Sequence, residues 1–443
     1  MNYENSCYYI ASEYNDKYIL YSTLTTSLTI LDKDVYIDIF ERNQHDKYPS
    51  EVQNLLEMGF VHEQGIDEEK QLAEQRKLTV QTNKDNILYY IITPTMDCNA
   101  RCYYCFEQGA HHQKMSKETA IAVANYIVKN AKGQKICIQW FGGEPLLEPD
   151  VIDLITEILN IHSIDYESKI TTNGFLLSNS MVQRIRKWNT TSVQIPIDAI
   201  GNEYNNIKRY IDEEKDAFSK VIGNIKNLLK YDIRVRVRIN FNPLEIEKVK
   251  KTIIGLKEIF GEKSPIEFYC ASIDSPSSKI PPISLRYEGL EKHPLISLLD
   301  ISEEFCGYSV KTSNTWFATA DELTKILQKY FLHPIPASCF GVCNCTIAID
   351  SLGNIYVCHR LLGKGEQYSS GNVWSGIENN GISERFQSIE IREECRTCFL
   401  LPCCQGGCKL RAEEYGVQHA CSPAKGVASE LLLRALKKSD IIR

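Results

Sequence analysis

The chain has 443 residues, of which 43% are hydrophobic and 24% are charged, with a formal net charge of -7. These proportions exclude a disordered chain and a membrane protein, and the length favours roughly two to four domains. Because phosphate contacts need a concentrated basic surface, the negative charge argues against nucleic acid as the main partner.

Cysteine is the unusual component of the composition. The N-terminal segment lacks the basic start and apolar core of a secretory signal, and no stretch of about 18 apolar residues follows, so we expect a cytoplasmic location and no membrane contact. A reducing compartment disfavours disulfides, so the 17 cysteines indicate metal binding or redox chemistry. Three lie between Cys98 and Cys105, and ten lie between Cys339 and Cys421.

Residues 1–85 read as a small separate unit. The segment 17–31 predicts two strands joined by a Thr/Ser turn, and a helix should begin near Asp34. A second helix over 50–60 should end at Gly59, and the charged segment 62–77 predicts a helical linker.

Residues 86–275 alternate six candidate strands with helical patterns. Such alternation predicts parallel strands with right-handed crossovers, and six units make a partial (βα)6 TIM-like barrel. Ligands of such folds bind at the carboxyl ends of the strands. A Ser/Pro-rich bridging region, 276–335, contains one further helical pattern, and the cysteine-rich region spans 336–443.

The motif CNARCYYC, residues 98–105, directly follows the first of these strands. A zinc knuckle or a set of inert thiols is one interpretation, although zinc sites usually pair two Cys-x-x-Cys units and this loop has a single triplet. The second strand ends in a Gly-Gly-Glu-Pro turn, whose glycines allow close backbone approach.

Together these motifs resemble those of the radical S-adenosylmethionine (SAM) enzymes, whose CxxxCxΦC loop holds a 4Fe-4S cluster. The resemblance implies that Cys98, Cys102 and Cys105 bind three irons, that SAM binds the fourth, and that Tyr104 packs against the adenine. It further implies that the methionyl amino group of SAM meets the second strand's turn, which comprises Gly142, Gly143, Glu144 and Pro145. Enzymes of this family cleave SAM reductively to a 5'-deoxyadenosyl radical that abstracts hydrogen from an unactivated carbon.

The next three strand ends provide weaker signals. The family pattern assigns Asn173 and Asp198 to SAM contacts, although this chain has Pro196 and Ala199 where Ser and Gly are usual, and its "YNNIKR" segment departs from the family's His-Asp-x-x-Arg. The fifth strand alternates arginines with aliphatic residues, so the arginines should face the barrel lumen. Arg238, nearest the carboxyl end, would bind a carboxylate of SAM or substrate, unless acidic side chains already pair with the row or the strand is exposed.

The C-terminal cysteines resemble the SPASM extension of this family, which carries two auxiliary 4Fe-4S clusters; a zinc-ribbon-like domain is the alternative. By analogy one cluster would take Cys339, Cys343, Cys358 and Cys408, and the other would take Cys395, Cys398, Cys404 and Cys421. Cys345 could replace Cys343, and Cys403 poses a similar ambiguity beside Cys404. The remaining thiols, Cys7, Cys137, Cys270 and Cys306, are expected to be buried and not to be ligands.

The N-terminal unit resembles the small recognition domains that precede many maturases of ribosomally made peptides, in which a leader peptide adds as a strand. Our leading hypothesis is an oxidoreductase that installs a thioether or carbon-carbon crosslink in a precursor peptide with a leader segment, using a reducing partner such as flavodoxin or ferredoxin. The alternatives are a unit that only covers the barrel bottom, an anaerobic sulfatase-maturating enzyme that forms formylglycine, and a zinc-bound adaptor without enzyme activity.

Overall fold

The structure is a computed structural model of the chain. It describes residues 2–83, 87–107, 113–212, 216–261, 264–273, 292–304, 311–312, 345–378, 380–387, 391–404, 406–414, 416, 421, 423–438 and 442. The helical pattern predicted within the bridging region, Cys306, Cys339 and Cys343 lie outside the described residues.

The N-terminal unit combines two small antiparallel sheets with three helices. Strands β2 (Tyr9–Tyr14), β3 (Lys17–Ser22) and β4 (Leu28–Asp32) form one sheet in that order, and β1 (Tyr3–Asn5) pairs with β5 (Val61–Glu63). The helices are α1 (Lys33–Tyr36), continued by a π turn, α2 (Pro49–Met58) and α3 (Glu68–Asn83). The first of these sheets therefore has three strands, whereas the sequence predicted two. Strand β2 was missed because it mixes polar and apolar residues and becomes apparent only through its pairing.

The alternating segment forms the predicted parallel sheet. Its six strands run in the sheet in chain order: β6 (Tyr89–Ile92), β7 (Ile136–Trp140), β8 (Tyr166–Thr171), β9 (Thr190–Pro196), β10 (Arg234–Phe241) and β11 (Glu267–Ser272). Each is parallel to its neighbour. Their carboxyl ends therefore meet at one edge, where the cysteine loop begins.

Both ends of this sheet are extended by later parts of the chain. Strand β12 (Lys311–Thr312) joins β11, and β13 (Thr346–Ile349) joins β6, both in parallel. Antiparallel strands β14 (Asn354–Tyr356), β15 (Gly371–Asn372) and β16 (Gly376–Ile377) complete an 11-stranded sheet. The cysteine-rich region is thus joined to the barrel by backbone hydrogen bonds, which the sequence did not indicate.

Helices cover the parallel strands and bury their aliphatic residues. They are α4 (Lys117–Ala131), α5 (Pro149–Ile161), α6 (Asn179–Lys187), α7 (Asn202–Lys208), α8 (Ala217–Leu228), α9 (Glu247–Phe260) and α10 (Pro294–Glu304). Ser116, Ser178 and Asp216 accept backbone hydrogen bonds at three helix starts, which fixes where these helices begin. Helix α7 was not predicted, since its mostly polar sequence lacks an apolar stripe.

The C-terminal helices pack against the N-terminal unit. They are α11 (Ile382–Gln387), α12 (Glu393–Arg396), α13 (Leu401–Cys404), α14 (Lys409–Glu414) and α15 (Ala428–Lys438). Ile19 and Tyr21 of β3 share an apolar core with Leu431 and Leu432 of α15, whereas Leu20 faces the N-terminal unit's own core. The alternation of β3 therefore buries both faces of its sheet. Within the described part of the chain, no helix is long and apolar enough to cross a membrane.

Candidate functional site

The cysteine loop lies at the carboxyl edge of the parallel sheet, directly after β6. Its backbone is held by helix α7 and the turn that follows: the Arg101 amide donates to the Lys208 carbonyl at 2.8 Å, and the Ile211 amide donates to the Asn99 carbonyl at 2.9 Å. The Cys105 amide donates to the Cys102 carbonyl at 3.2 Å, which closes a turn between these two thiols. The loop is therefore ordered by contacts that its own sequence does not supply.

The three thiols of the loop are reduced, partly buried and close enough to perturb one another. Burial raises the pKa of Cys98 and of Cys105 to about 12 and also raises that of Cys102, and neighbouring thiols add to the shifts of Cys98 and Cys105. Thiolate ligation would therefore release protons. Among the described residues no three Cys, His, Asp or Glu side chains converge on a single-ion site.

The two glycines after β7 let this turn pass directly beneath the start of the cysteine loop. Gly142 has φ +109°, and a Cβ there would lie 2.5 Å from the Thr95 carbonyl oxygen. A Cβ at Gly143 would lie 2.2 Å from the carbonyl oxygen of Asp97. The Glu144 amide donates to that same oxygen at 2.8 Å. Only glycine allows the two backbones to approach this closely.

Glu144 is fully buried and connects two strand ends. Its carboxylate accepts from the Thr172 hydroxyl at 2.8 Å, the Asn173 amide at 2.7 Å and the Leu146 amide at 3.1 Å. Burial raises its pKa to about 7, and these hydrogen bonds oppose the rise. The side chain of Asn173 in turn donates to Asn99 of the cysteine loop at 2.7 Å. The structure thus brings together three of the motifs that the sequence singled out.

Asp198 and Tyr104 meet at a buried lysine that the sequence analysis missed. Lys208 Nζ lies 2.6 Å from Asp198 Oδ2 and 2.7 Å from the Tyr104 hydroxyl, and that hydroxyl also bonds Asp198. Asn240 donates its backbone and side-chain N–H groups to Asp198 Oδ1, each at 2.9 Å. The predicted SAM contact of Asp198 stays a prediction, and the structure shows both of its oxygens already engaged. The only signal in the sequence was the "YNNIKR" departure.

The arginines of β10 differ from one another. Val235, Val237 and Ile239 are buried beneath the helices as predicted, whereas Arg234 is exposed and Arg236 pairs with Glu267 at 3.2 Å. Arg238 is half-buried, donates to the Asn240 side chain at 2.7 Å and lies over the Tyr269 ring. Within the described residues no carboxylate lies at ion-pair distance from Arg238, which leaves its charge for a ligand anion.

An aromatic wall joins the cysteine loop to the C-terminal region. We define it as Phe106, Phe141 and His359: the His359 ring centroid lies 5.6 Å from that of Phe141 and 6.4 Å from that of Phe106. Arg360 lies over Phe106 and pairs with Glu414. Burial, followed by the charges of Arg360 and Arg238, lowers the pKa of His359 to about 4, so the imidazole is neutral. No sequence motif indicated this wall.

The predicted auxiliary ligands fall in two places. The four cysteines predicted for the second auxiliary cluster lie close to one another, because one small cavity is lined by Cys395, Cys398, Cys404 and Cys421. In the first set, Cys358 and Cys408 pack in one apolar cluster. Cys345 directly precedes β13, and the side chain of Cys403 is outside the described part. Of the other thiols, Cys270 is buried as expected, but Cys7 and Cys137 are only half-buried.

The site fits a bound cluster and cosubstrate. Buried polar atoms at the loop, namely Asn99 Nδ2, Glu107 Oε1 and Thr93 Oγ1, have no hydrogen-bond partner among the described residues. Unpaired buried polar atoms are costly, so they indicate a missing group. Together with the three thiols of the loop and the glycine turn, they match a polar cosubstrate held beside an iron-sulfur cluster.

Comparisons with known proteins agree with this geometry. Residues 92–253 match the Radical SAM superfamily. A cysteine-type anaerobic sulfatase-maturating enzyme from Clostridium novyi (strain NT) is 26% identical over 357 residues, covering 74% of this chain and 89% of that protein.

Solved structures show the same fold. Native anSMEcpe with bound AdoMet has a TM-score of 0.60 at 19% identity, covering 80% of this chain and 97% of its own. Streptococcus suis SuiB bound to precursor peptide SuiA has a TM-score of 0.53 at 15% identity, covering 95% of this chain and 98% of its own.

These matches and the motifs assembled at the site identify the cofactors that it would bind. Members of this family bind a 4Fe-4S cluster and AdoMet, and relatives with a SPASM-type cysteine-rich C-terminus carry auxiliary clusters. The chain therefore contains a radical SAM domain over residues 92–253, and its cysteine-rich C-terminal region is consistent with the SPASM-type radical SAM enzymes that it resembles in structure.

Proposed function

We propose that the protein is a peptide maturase that installs a thioether or carbon-carbon crosslink in a ribosomally made precursor peptide. The observation that carries this proposal is the N-terminal unit, a three-stranded sheet with helices that is built onto the cluster-bearing C-terminal region. The Tyr8 hydroxyl donates to the Arg396 carbonyl at 3.0 Å, and the Thr23 hydroxyl donates to the Phe399 carbonyl. These carbonyls flank Cys398, so a peptide held by this unit would lie close to the second auxiliary site.

The sheet of this unit has one edge available for an added strand. Strand β2 packs against α15, where the Ser12 hydroxyl donates to the Ser429 carbonyl and the Ser429 hydroxyl donates to the Ala11 carbonyl. No residue of the opposite edge strand, β4, is buried, and Ile30 within it is 43% exposed. An unpaired strand edge with an exposed apolar side chain suits a leader peptide that adds by backbone pairing.

At the barrel mouth, the side chains would hold SAM and exclude water. Cys98, Cys102 and Cys105 would hold the cluster, and the backbone after β7 would meet the amino group of SAM. When bound, the cluster and SAM supply abstraction of hydrogen from an unactivated carbon. Arg238 would pair with a carboxylate of SAM or peptide, and the aromatic wall would close the side of the mouth that faces the auxiliary sites.

Formylglycine formation is the second candidate, and the relationship to the C. novyi enzyme favours it. A structure of the sulfatase-maturase type is covered almost completely by this chain yet leaves about a fifth of the chain unmatched. The N-terminal unit makes up about that share, and SuiB matches nearly the whole chain. This difference in coverage supports a precursor peptide, such as the one bound to SuiB, as the substrate. The zinc-bound adaptor loses its support because the chain is an enzyme.

Mass spectrometry of a candidate peptide separates the two reactions. The reconstituted enzyme would be incubated anaerobically with SAM, a reductant and a candidate precursor peptide, sought among small cysteine-rich reading frames beside the gene, with the same peptide lacking its leader as the control. We expect loss of two hydrogens, a crosslink in the fragment spectra and no reaction with an aldehyde-specific hydrazide. Hydrazide labelling of the product would contradict crosslinking, and equal turnover of the leaderless peptide would contradict the role given to the N-terminal unit.

A further inference from the structure

Lys208 is one of the most buried charged side chains among the described residues. It is 1% exposed, at the last position of α7, although lysine almost never lies fully buried unless it is paired. Its ammonium lies between the carboxylate of Asp198 at 2.6 Å and the hydroxyl of Tyr104 at 2.7 Å. Such a placement is costly in free energy and needs an explanation.

Lys208 contacts the cysteine loop on both sides of Cys102. Its carbonyl accepts the amide of Arg101 at 2.8 Å and lies 3.9 Å from the Cys102 sulfur. Its side chain reaches the hydroxyl of Tyr104, two positions later. One residue therefore fixes the segment from Arg101 to Tyr104, through its backbone at one end and its charge at the other.

The network is satisfied without any ligand. Asp198 Oδ2 receives Lys208 and Tyr104, and Asp198 Oδ1 receives the two N–H groups of Asn240. Burial by itself lowers the pKa of Lys208, but Asp198 and the neighbouring Tyr104, Cys102 and Tyr204 together outweigh burial and keep that pKa well above its ordinary value. The strand ends of β9 and β10 thereby form a rigid base for the loop.

We propose that Lys208 is a positioning residue that clamps the Arg101–Tyr104 segment to the barrel, so that Cys102 and the Tyr104 ring are in place before the cluster and SAM bind. The ammonium acts through Tyr104 and Asp198 and touches no reacting atom. This role does not depend on which peptide is modified, so it stands apart from the proposed function.

Hydrogen-deuterium exchange on the iron-free protein tests the clamp without relying on activity. Lys208→Met keeps the length of the side chain and removes its charge, and Tyr104→Phe keeps the ring and the Lys208–Asp198 pair but cuts their link to the loop. We expect faster exchange in the peptide covering 98–107 in both variants, with unchanged exchange in α8. The matched control is Lys250→Met, since Lys250 pairs with Glu304 on the surface at 2.6 Å.

The reconstituted variants supply the second readout. Lys208→Met and Tyr104→Phe should raise the KM for SAM at least as strongly as they lower kcat for 5'-deoxyadenosine formation, whereas Lys250→Met should change neither. If Lys208→Met does not fold, the charge-neutral pair Lys208→Met/Asp198→Asn replaces it. Wild-type exchange in 98–107 together with a wild-type KM for SAM, in Tyr104→Phe or in whichever Lys208 variant folds, would overturn the proposal.

Discussion

Replacing Gly143 with alanine should disable the site through a single methyl group. The added Cβ would lie 2.2 Å from the carbonyl oxygen of Asp97 and 2.6 Å from its carbon, whereas ordinary contacts begin near 3.4 Å. Both obstructing atoms belong to the backbone, so no side chain can rotate away. The start of the cysteine loop must therefore move by about an ångström, which also strains the 2.8 Å hydrogen bond from Glu144 to Asp97.

The expected magnitude follows from this displacement. Overpacking of this kind costs about 1–3 kcal/mol of stability, and a misplacement of about 1 Å at a reacting centre can cost about 100-fold in rate. The assays are urea unfolding and anaerobic 5'-deoxyadenosine formation by the reconstituted enzyme, measured by chromatography. The matched control is Gly223→Ala, on an exposed position of α8 with open space around it, which should stabilise the protein by about 0.5–1 kcal/mol. Wild-type turnover by Gly143→Ala would refute the close-approach reasoning.

Three further perturbations have defined outcomes. Burial raises the pKa of Glu144 to about 7, so the SAM-free protein should lose up to about 3 kcal/mol of stability as the pH rises from about 5 to 8. Urea unfolding across this pH range should show that Glu144→Gln removes the loss. A variant with the same pH dependence as the wild type would contradict this role of Glu144. Cys421→Ser should lower the iron content by about four per chain while SAM cleavage persists; iron analysis showing no loss would place the ligand elsewhere. Tyr8→Phe should lower the free energy of unfolding by about 1 kcal/mol, since it removes the hydrogen bond to Arg396, and an unchanged urea midpoint would show that this contact contributes nothing.

The barrel was predictable because its strands and helices carry strong periodic patterns. The six parallel strands, the helices between them except α7, and the end of α2 at Gly59 were predicted from apolar spacing and turn residues, and the structure confirms them. The structure also confirms that Val235, Val237 and Ile239 face the helices. In each case the signal lies within a few neighbouring residues.

What the sequence missed depends on contacts between distant residues. The pairing of β13 with β6 joins positions more than two hundred residues apart, and nothing local to Thr346 indicates a parallel partner. Lys208 sits in a polar helix, where a lysine would be expected to face solvent, and its burial arises from Asp198 and Tyr104 on other elements. The aromatic wall has the same origin, because Phe141 and His359 come from different regions.

The cysteine motif was found from the sequence because its spacing is dense and specific. Its ligand role, like those of the two auxiliary sets, stays a prediction. For the auxiliary sites the structure supports one set by grouping four thiols at a cavity, whereas Cys339 and Cys343 of the other set lie outside the described residues.

The chemistry proposed for this protein requires that the three thiols of the loop hold the cluster that binds SAM. The most direct measurement is reductive SAM cleavage by the variant Cys98→Ala/Cys102→Ala/Cys105→Ala, reconstituted beside the wild-type protein and scored for iron and 5'-deoxyadenosine. We predict about four fewer irons per chain and no 5'-deoxyadenosine above the enzyme-free background. Continued formation of 5'-deoxyadenosine at a rate near that of the wild type would contradict the central claim.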